Sequence, residues 1–284
     1  AGEIMNAGGL SRRIVNFAMA LVGHVKGGLG YVTIVAAVIM ASLSGSAVAD
    51  AAALTALLLP MMVAAGHDKA RSAGLIASAG IIAPIIPPSI GFVIFGVAAN
   101  VSISKLFMAG IFPGVWLALS LWVTWWWLVR NEKIEPPPRK NLAEVLDAMR
   151  QATWALVLPF IIVFGLKFGV FTPTEAAVVA AVYSLVVSTL VYRELNLKQL
   201  VPLFVSAATT CAIVMFLVAA AMVSAWLITV ANLPAQVVAL LQPLLDSPRL
   251  LMLAIMVLTM VVGTALDMTP TILLLTPVLM PVVK

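Results

Sequence analysis

Two short polar segments interrupt long apolar stretches of this sequence and carry residues that could bind an ion or a small polar ligand. They are residues 45–50 and 263–267, and each contains glycine, a hydroxyl side chain and an aspartate, with a proline ten residues after the aspartate. Glycine lets a ligand approach the backbone, and hydroxyl and carbonyl oxygens suit a hard cation such as sodium. The N-terminus of a helix that follows such a break favours an anionic group.

The similarity of these two segments indicates an internal repeat. Paired broken helices in two halves of a chain point to the binding site of a secondary transporter, because unwound backbone groups must find polar partners inside the membrane. Asp50 and Asp267 are the only acidic residues well inside apolar tracts. A carboxylate in that position is a functional-site hypothesis. The alternative is that each aspartate caps the helix that follows it.

The composition predicts that these segments lie in a membrane protein. Of the 284 residues, 63% are hydrophobic and 10% are charged, whereas an average soluble domain carries about 25% charged residues. Residues 27–49, 72–104, 106–129 and 199–245 include no Asp, Glu, Lys or Arg, and each stretch is long enough to cross a bilayer. We therefore predict an all-α, polytopic membrane protein and exclude a soluble enzyme.

Charge and cysteine content exclude two further classes of function. The net charge of +5 is spread over short loops, as the positive-inside rule expects, and does not form a nucleic-acid-binding stripe. Cys211 is the single cysteine, and His24 and His67 are far apart in the sequence. This pattern predicts neither a disulfide framework nor a Cys/His metal cluster.

Prolines and charged turns divide the chain into five regions. A break at residues 83–89 contains adjacent prolines, Pro87 and Pro88, which block helical backbone before them. We predict an interfacial arm helix at 1–28; first-repeat elements at 29–130, with a hairpin at 45–66 and a broken helix at 72–104; a cytoplasmic loop at 131–153; second-repeat spans at 154–248; and the start of a second re-entrant hairpin at 249–284.

Five stretches together resemble the large membrane subunit of the TRAP transporters, the tripartite ATP-independent periplasmic systems. They are residues 1–13, 44–53, 85–90, 107–114 and 169–177. The resemblance runs through most of the chain and suggests that the sequence is cut at both ends. It implies the elevator fold of the ion-transporter superfamily, with inverted repeats, re-entrant hairpins and broken helices.

The resemblance also implies a function. It is that of a permease subunit, not an enzyme, in the bacterial inner (cytoplasmic) membrane, which imports organic acids such as C4-dicarboxylates, sialic acid or sugar acids. Sodium is the coupling ion, and no cofactor or other metal is expected. The implied partners are a small four-helix membrane subunit, a periplasmic substrate-binding protein and the lipid bilayer.

The family motifs assign roles to individual residues of this sequence. The implied sodium-binding residues are Ser44, Gly45, Ser46, Ala83, Ile85, Pro88 and, at the second hairpin, Gly263. The implied substrate-binding residues are Ser46, Asp50, Ser89 and Asp267. Residues with an expected structural role are Pro87, Thr172, Pro173, Thr174 and Glu175.

Two other functions remain open from the residues themselves. A non-transporting structural membrane subunit would share the composition, although it would not need two matching breaks. A membrane-embedded hydrolase could use Ser44 or Ser46 as its nucleophile. No histidine lies in a predicted span to act as the base, since His24 and His67 fall near polar turns.

Overall fold

The computed structural model describes residues 2–132, 134, 137–232, 236 and 247–283, and these residues form helices and turns without a β-strand. The parts of the predicted regions at residues 1, 133, 135–136, 233–235, 237–246 and 284 lie outside the described residues. The helices are α1 (Gly2–Ala7), α2 (Leu10–Val22), α3 (Gly28–Ser44), α4 (Ala47–Ala64), α5 (Lys69–Gly80), α6 (Ile90–Ala99), α7 (Ile103–Val129), α8 (Leu142–Lys167), α9 (Pro173–Val186), α10 (Leu197–Val230), α11 (Pro248–Gly263) and α12 (Met268–Val283).

The chain forms an all-α, multi-pass membrane protein, as predicted. Five helical segments among the described residues are long and apolar enough to cross a bilayer: Ala47–Ala64, Ile103–Val129, Leu142–Lys167, Pro173–Val191 and Lys198–Ile228. Large apolar side chains remain exposed along them, including Trp116 and Phe216. Exposed apolar surface of this extent fits contact with lipid.

The chain divides into two compact units. The first consists of Ala1–Ile90 and Ser104–Phe204, and the second of Gly91–Ile103 and Val205–Lys284. The core of the first unit includes Leu10, Ile34, Leu58 and Leu158, from α2, α3, α4 and α8. In the second unit, a smaller cluster joins Ile94 of α6, Ala221 of α10 and Leu273 of α12.

Helices α3 and α4 form a helical hairpin whose tip lies at residues 45 and 46. At its base, the indole Nε1 of Trp125 donates a 2.9 Å hydrogen bond to Gly27 O, just before α3. The ring of His67, just after α4, lies 5.4 Å from the ring of Trp125. The start of α3 and the end of α4 are therefore close together, so the two helices run antiparallel.

The hairpin begins at Gly28 and not at the predicted residue 45, because the glycine break is its tip and not its start. The predicted cytoplasmic loop is also too long. Helix α8 begins at Leu142, where Glu144 Oε2 accepts a 2.8 Å hydrogen bond from the backbone N–H of Asn141 and closes the first turn. The predicted arm contains α1 and α2. Helix α2 packs on α3 and α8, and its residues Leu10, Ile14 and Ala18 are buried in the shared core.

Candidate functional site

The hairpin tip is built from three residues with complementary roles. Gly45 ends α3 in the left-handed region, with φ of 62° and its N–H bonded to Ala41 O at 3.3 Å. Ser46 then caps α4, because its hydroxyl accepts the N–H of Ala49 at 3.4 Å. The hydroxyl of Ser44 accepts the N–H of Ser46 at 3.2 Å. Two hydroxyl groups are thus held at the tip by backbone geometry.

The tip packs directly against the break between α5 and α6. A Cβ atom on Gly45 would lie 2.5 Å from the carbonyl oxygen of Pro88 and 3.4 Å from Cα of Ser89. Only glycine fits this contact, and glycine also relieves the positive φ. The structure therefore brings Ser44, Gly45 and Ser46 to the same place as Pro88 and Ser89.

Prolines leave the break with fewer backbone donors than a helix would have. In a helix, the N–H of residue 87 would bond to Ala83 O and that of residue 88 to Pro84 O, but both positions are proline. The Ser89 hydroxyl donates instead to Pro84 O. Backbone oxygen atoms at membrane depth are the kind of ligand that coupling ions use in transporters.

The side chains of the break are fixed by α7. A Cβ on Gly114 would lie 2.5 Å from Ile86 Cγ1 and 3.6 Å from Ile85 Cγ2, so the absence of a side chain at Gly114 allows the close approach. Ala83 is buried as well, with 1% of its surface exposed. In the sequence, the signal for this contact is a glycine after Pro113 in an apolar stretch. The sequence does not show that this glycine contacts Ile85 and Ile86.

Asp50 lies in the first turn of α4, and only 1% of its surface is exposed. Neither carboxylate oxygen has a partner that meets hydrogen-bond geometry, although the Ser44 hydroxyl faces the same carboxylate. Asp50 therefore lies behind the tip, while Ser46 holds the capping position.

The second tip lies in the second compact unit and is built differently. Helix α11 ends at Gly263 and α12 begins at Met268, with Asp267 exposed between them. A Cβ on Gly263 would meet no atom within 4 Å. The hydroxyl of Thr271 donates to Asp267 O at 2.8 Å. Among the described residues, Gly263 of the second tip therefore has no close neighbour that corresponds to the one of Gly45 at the first tip.

The turn before α9 is closed by a capping box. Glu175 Oε2 accepts the N–H of Thr172 at 2.8 Å and its hydroxyl at 2.9 Å. The Thr172 hydroxyl accepts the N–H of Glu175 at 3.3 Å, and Pro173 occupies the first turn. These contacts fix the start of the helix.

A polar cluster at the hairpin base was missed by sequence reasoning. His67 Nδ1 lies 3.2 Å from Glu132 Oε2, and Arg71 Nη1 donates to Glu132 Oε1 at 3.1 Å. Trp125 is buried against this cluster with 2% of its surface exposed, while Trp126 is 55% exposed. The preference of indole rings for the membrane interface explains the exposure of Trp126. It does not explain the burial of Trp125, which faces Gly27 and Gly30.

Together these features define a helical membrane protein in which a hairpin tip is packed on a broken helical segment. The family model described as "Tripartite ATP-independent periplasmic transporter, DctM component" matches residues 1–284. The chain belongs to this family, and the resemblance found in the sequence is confirmed.

Curated relatives agree with this assignment. The chain is 58% identical to the 2,3-diketo-L-gulonate TRAP transporter large permease protein YiaN of Escherichia coli, over 100% of this chain and 67% of the relative. It is 36% identical to the C4-dicarboxylate TRAP transporter large permease protein DctM of Pseudomonas aeruginosa, over 99% of this chain and 66% of the relative. The sialic acid TRAP transporter large permease protein SiaM of Vibrio cholerae is also 36% identical, over 99% of this chain and 66% of the relative.

The chain thus spans about two thirds of the length of these relatives. All three are named as permease proteins of transporters. The chain is accordingly a transporter permease component and not an enzyme, which removes the membrane-embedded hydrolase from consideration.

Proposed function

We propose that the full-length protein is the permease subunit of a sodium-coupled secondary transporter that imports organic acids. The observation that carries the proposal is the packing of Gly45 on the Pro88 carbonyl oxygen, in a chain of the TRAP permease family. This contact places a hairpin tip with two hydroxyl groups beside a proline-interrupted backbone. Such a combination supplies neutral oxygen ligands of the kind that coordinate coupling cations in transporters with broken helices.

The proposed first sodium site uses the tip and the break of the first unit. Its ligands are the oxygens of Ser44, Gly45 and Ser46 together with the backbone carbonyls of Ala83, Ile85 and Pro88. The proline at position 87 supports this choice, since it removes the helical donor to Ala83 O. Gly263 contributes to a second sodium site at the second hairpin. Sodium is the only metal proposed, and no other cofactor is needed.

The proposed substrate-binding residues are Ser46, Asp50 and Ser89 in the first unit and Asp267 in the second. The N-terminus of α4 begins at Ser46 and favours an anionic group of the substrate. Asp50 shapes this region from behind the tip because it is buried. Asp267 is exposed and can accept a hydrogen bond from a substrate hydroxyl.

The substrate class follows from what the relatives carry. Those relatives are named for 2,3-diketo-L-gulonate, C4-dicarboxylate and sialic acid, and all three compounds are organic acids. The identity of 58% to the 2,3-diketo-L-gulonate permease makes a sugar acid the first compound to test.

The proposed assembly has three protein components in the bacterial inner membrane and periplasm. A periplasmic binding protein delivers the acid, and a small four-helix membrane subunit supports the permease. Transport proceeds by an elevator movement of the hairpin region against a scaffold. The competing proposal is a structural subunit that assembles with these partners but moves no solute.

Uptake into proteoliposomes tests the proposal. The full-length permease and its small subunit are reconstituted, and binding protein is added outside with labelled 2,3-diketo-L-gulonate, sialic acid or a C4-dicarboxylate. We expect uptake of one acid only when an inward sodium gradient and the binding protein are both present. Equal uptake when potassium replaces sodium in the gradient would contradict sodium coupling. Absence of uptake in a correctly assembled complex would favour the structural subunit.

A further inference from the structure

Within the described part of the chain, the carboxylate of Asp50 is buried without a counter-charge. Its surface is 1% exposed, and both oxygens lack a partner with hydrogen-bond geometry. The two cations of α2, Arg12 and Arg13, both pair with Glu194, at 3.2 and 2.7 Å. A buried carboxylate without a partner strongly destabilises a fold. Either a proton or a bound cation must therefore neutralise Asp50.

A small cavity adjoins this carboxylate between the arm helices and the hairpin. Its volume is about 10 Å³, and its polar lining residues are Asn6, Ser11, Ser44 and Asp50. That volume is close to the minimum that holds one water molecule. The cavity therefore suits a single ion stripped of its water shell, held by side-chain oxygens from α1, α2, α3 and α4.

The oxygens around the cavity are suitable ligands. The hydroxyl of Ser11 donates to Asn6 Oδ1, which leaves the second lone pair of that amide oxygen available. The Ser44 hydroxyl oxygen accepts from Ser46 N and faces the Asp50 carboxylate. Close packing keeps these groups in place, since a Cβ on Gly2 would lie 3.4 Å from Ser44 Cβ.

We propose that this cavity binds one monovalent cation, held by the Asp50 carboxylate with oxygens of Asn6 and Ser44. One positive charge neutralises one carboxylate, whereas a divalent ion would leave an excess charge in the interior. The described residues contain no group of three or more His, Cys, Asp or Glu that could hold a divalent metal. The bound cation fastens the N-terminal arm to the back of the hairpin.

This site is separate from the proposed coupling site. The coupling site faces the break at Pro88, whereas the Asp50 cavity is lined by α1 and α2 on the arm side. Ser44 borders both sites, so substitutions there cannot separate them. Substitution of Asn6 or Asp50 should affect the arm-side cation and leave the coupling ion in place. Substitution of Gly45 should do the opposite.

Ion counting on the purified full-length permease with its small subunit tests the proposal. Binding of ²²Na⁺ and of ⁸⁶Rb⁺, as a potassium analogue, is measured by equilibrium dialysis at constant ionic strength in choline chloride. Asp50→Asn keeps the shape of the side chain and removes its charge. We expect it to lose one bound equivalent of Na⁺ or Rb⁺, and Asn6→Ala to weaken the same equivalent about tenfold.

Matched variants separate the possible outcomes. Asp147→Asn and Asn16→Ala change exposed residues of the same types and keep every equivalent. Gly45→Ala removes a coupling ion but retains the Asp50-dependent equivalent, so failure of sodium coupling does not remove the arm-side site. If Asp50→Asn does not fold, Asn6→Ala carries the test. The proposal is overturned if Asp50→Asn binds as many Na⁺ and Rb⁺ ions as the wild type, or if Asn6→Ala does so where Asp50→Asn does not fold. Such a result would show that the carboxyl group carries a proton.

Discussion

The carbonyl oxygen of Pro88 lies 2.5 Å from the position that a Cβ atom on Gly45 would occupy. This relationship joins two elements that are far apart in the sequence and close in space. One is a hairpin tip with a glycine at positive φ, and the other is a helix break in which the prolines lack backbone donors. The tip cannot move toward the break, and a side chain cannot be inserted between them. The proposed sodium site depends on this contact.

Substitution of Gly45 should disrupt the tip. Gly45→Ala forces a methyl group against a backbone oxygen and strains a φ of 62°, and overpacking of this kind costs about 1–3 kcal/mol. We expect a lower thermal unfolding temperature and loss of sodium-driven uptake. Gly74→Ala is the matched control, because a Cβ there meets no atom within 4 Å. Normal uptake by the Gly45→Ala permease would contradict the assigned contact.

Trp125 should stabilise the base of the hairpin more than its neighbours in the sequence do. Trp125→Phe removes the 2.9 Å hydrogen bond to Gly27 O, which keeps the N–H of Gly30 as its donor at 3.0 Å, and loss of one such bond costs about 0.5–1.5 kcal/mol. Trp126 is 55% exposed, so Trp126→Phe should stay within about 0.5 kcal/mol of the wild type. Thermal unfolding in detergent measures both. Equal shifts would show that the two indoles play the same interfacial role.

The two contacts of Glu132 should differ in strength because their partners differ in exposure. The side chain of His67 is 2% exposed, whereas that of Arg71 is 53% exposed. Removing the acceptor of a buried group costs about 1–3 kcal/mol, and an exposed ion pair contributes about 0–1 kcal/mol. We therefore expect Glu132→Ala, which removes the acceptor, to lower the unfolding temperature more than Arg71→Ala. The reverse order would place the stabilising contact at Arg71.

The capping box at Thr172 offers a test of local structure. Thr172→Ala removes the side chain that accepts the N–H of Glu175 at 3.3 Å, and loss of an N-cap costs about 1 kcal/mol. Thr174→Ala changes the same residue type two positions further along the chain, and we expect a much smaller effect. Hydrogen exchange of the 172–178 amides reports the result directly. Equal protection in both variants would contradict a capping role.

Local features of the fold could be predicted from the sequence. Apolar stretches without charge indicated the helices, the prolines at 87 and 88 indicated one break, and the Gly45–Ser46 pair indicated another. Each signal acts over a few residues, through backbone sterics or missing donors. Asn141, at the start of α8, is a signal of the same kind, and the loop predicted at 131–153 extends past it into the helix.

Tertiary contacts could not be predicted in this way. Trp125, Trp126 and Trp127 have the same sequence context, and only the rotation of α7 turns the first of them toward Gly30. Whether the Asp50 carboxylate finds a partner depends on the residues of α1 and α2 that line the cavity beside it. Each of these residues lies more than 35 positions before Asp50 in the sequence. The fit of Gly114 to Ile86 likewise requires knowledge of how α7 packs.

Simultaneous measurement of ²²Na⁺ and labelled substrate entry tests the central claim most directly. Proteoliposomes hold the full-length permease with its small subunit, and binding protein is supplied outside. The proposed coupling predicts that sodium enters with the acid in a fixed ratio, and that Gly45→Ala abolishes both fluxes while Gly74→Ala retains them. Entry of the acid without accompanying sodium would contradict the assignment of the hairpin tip as a coupling-ion site.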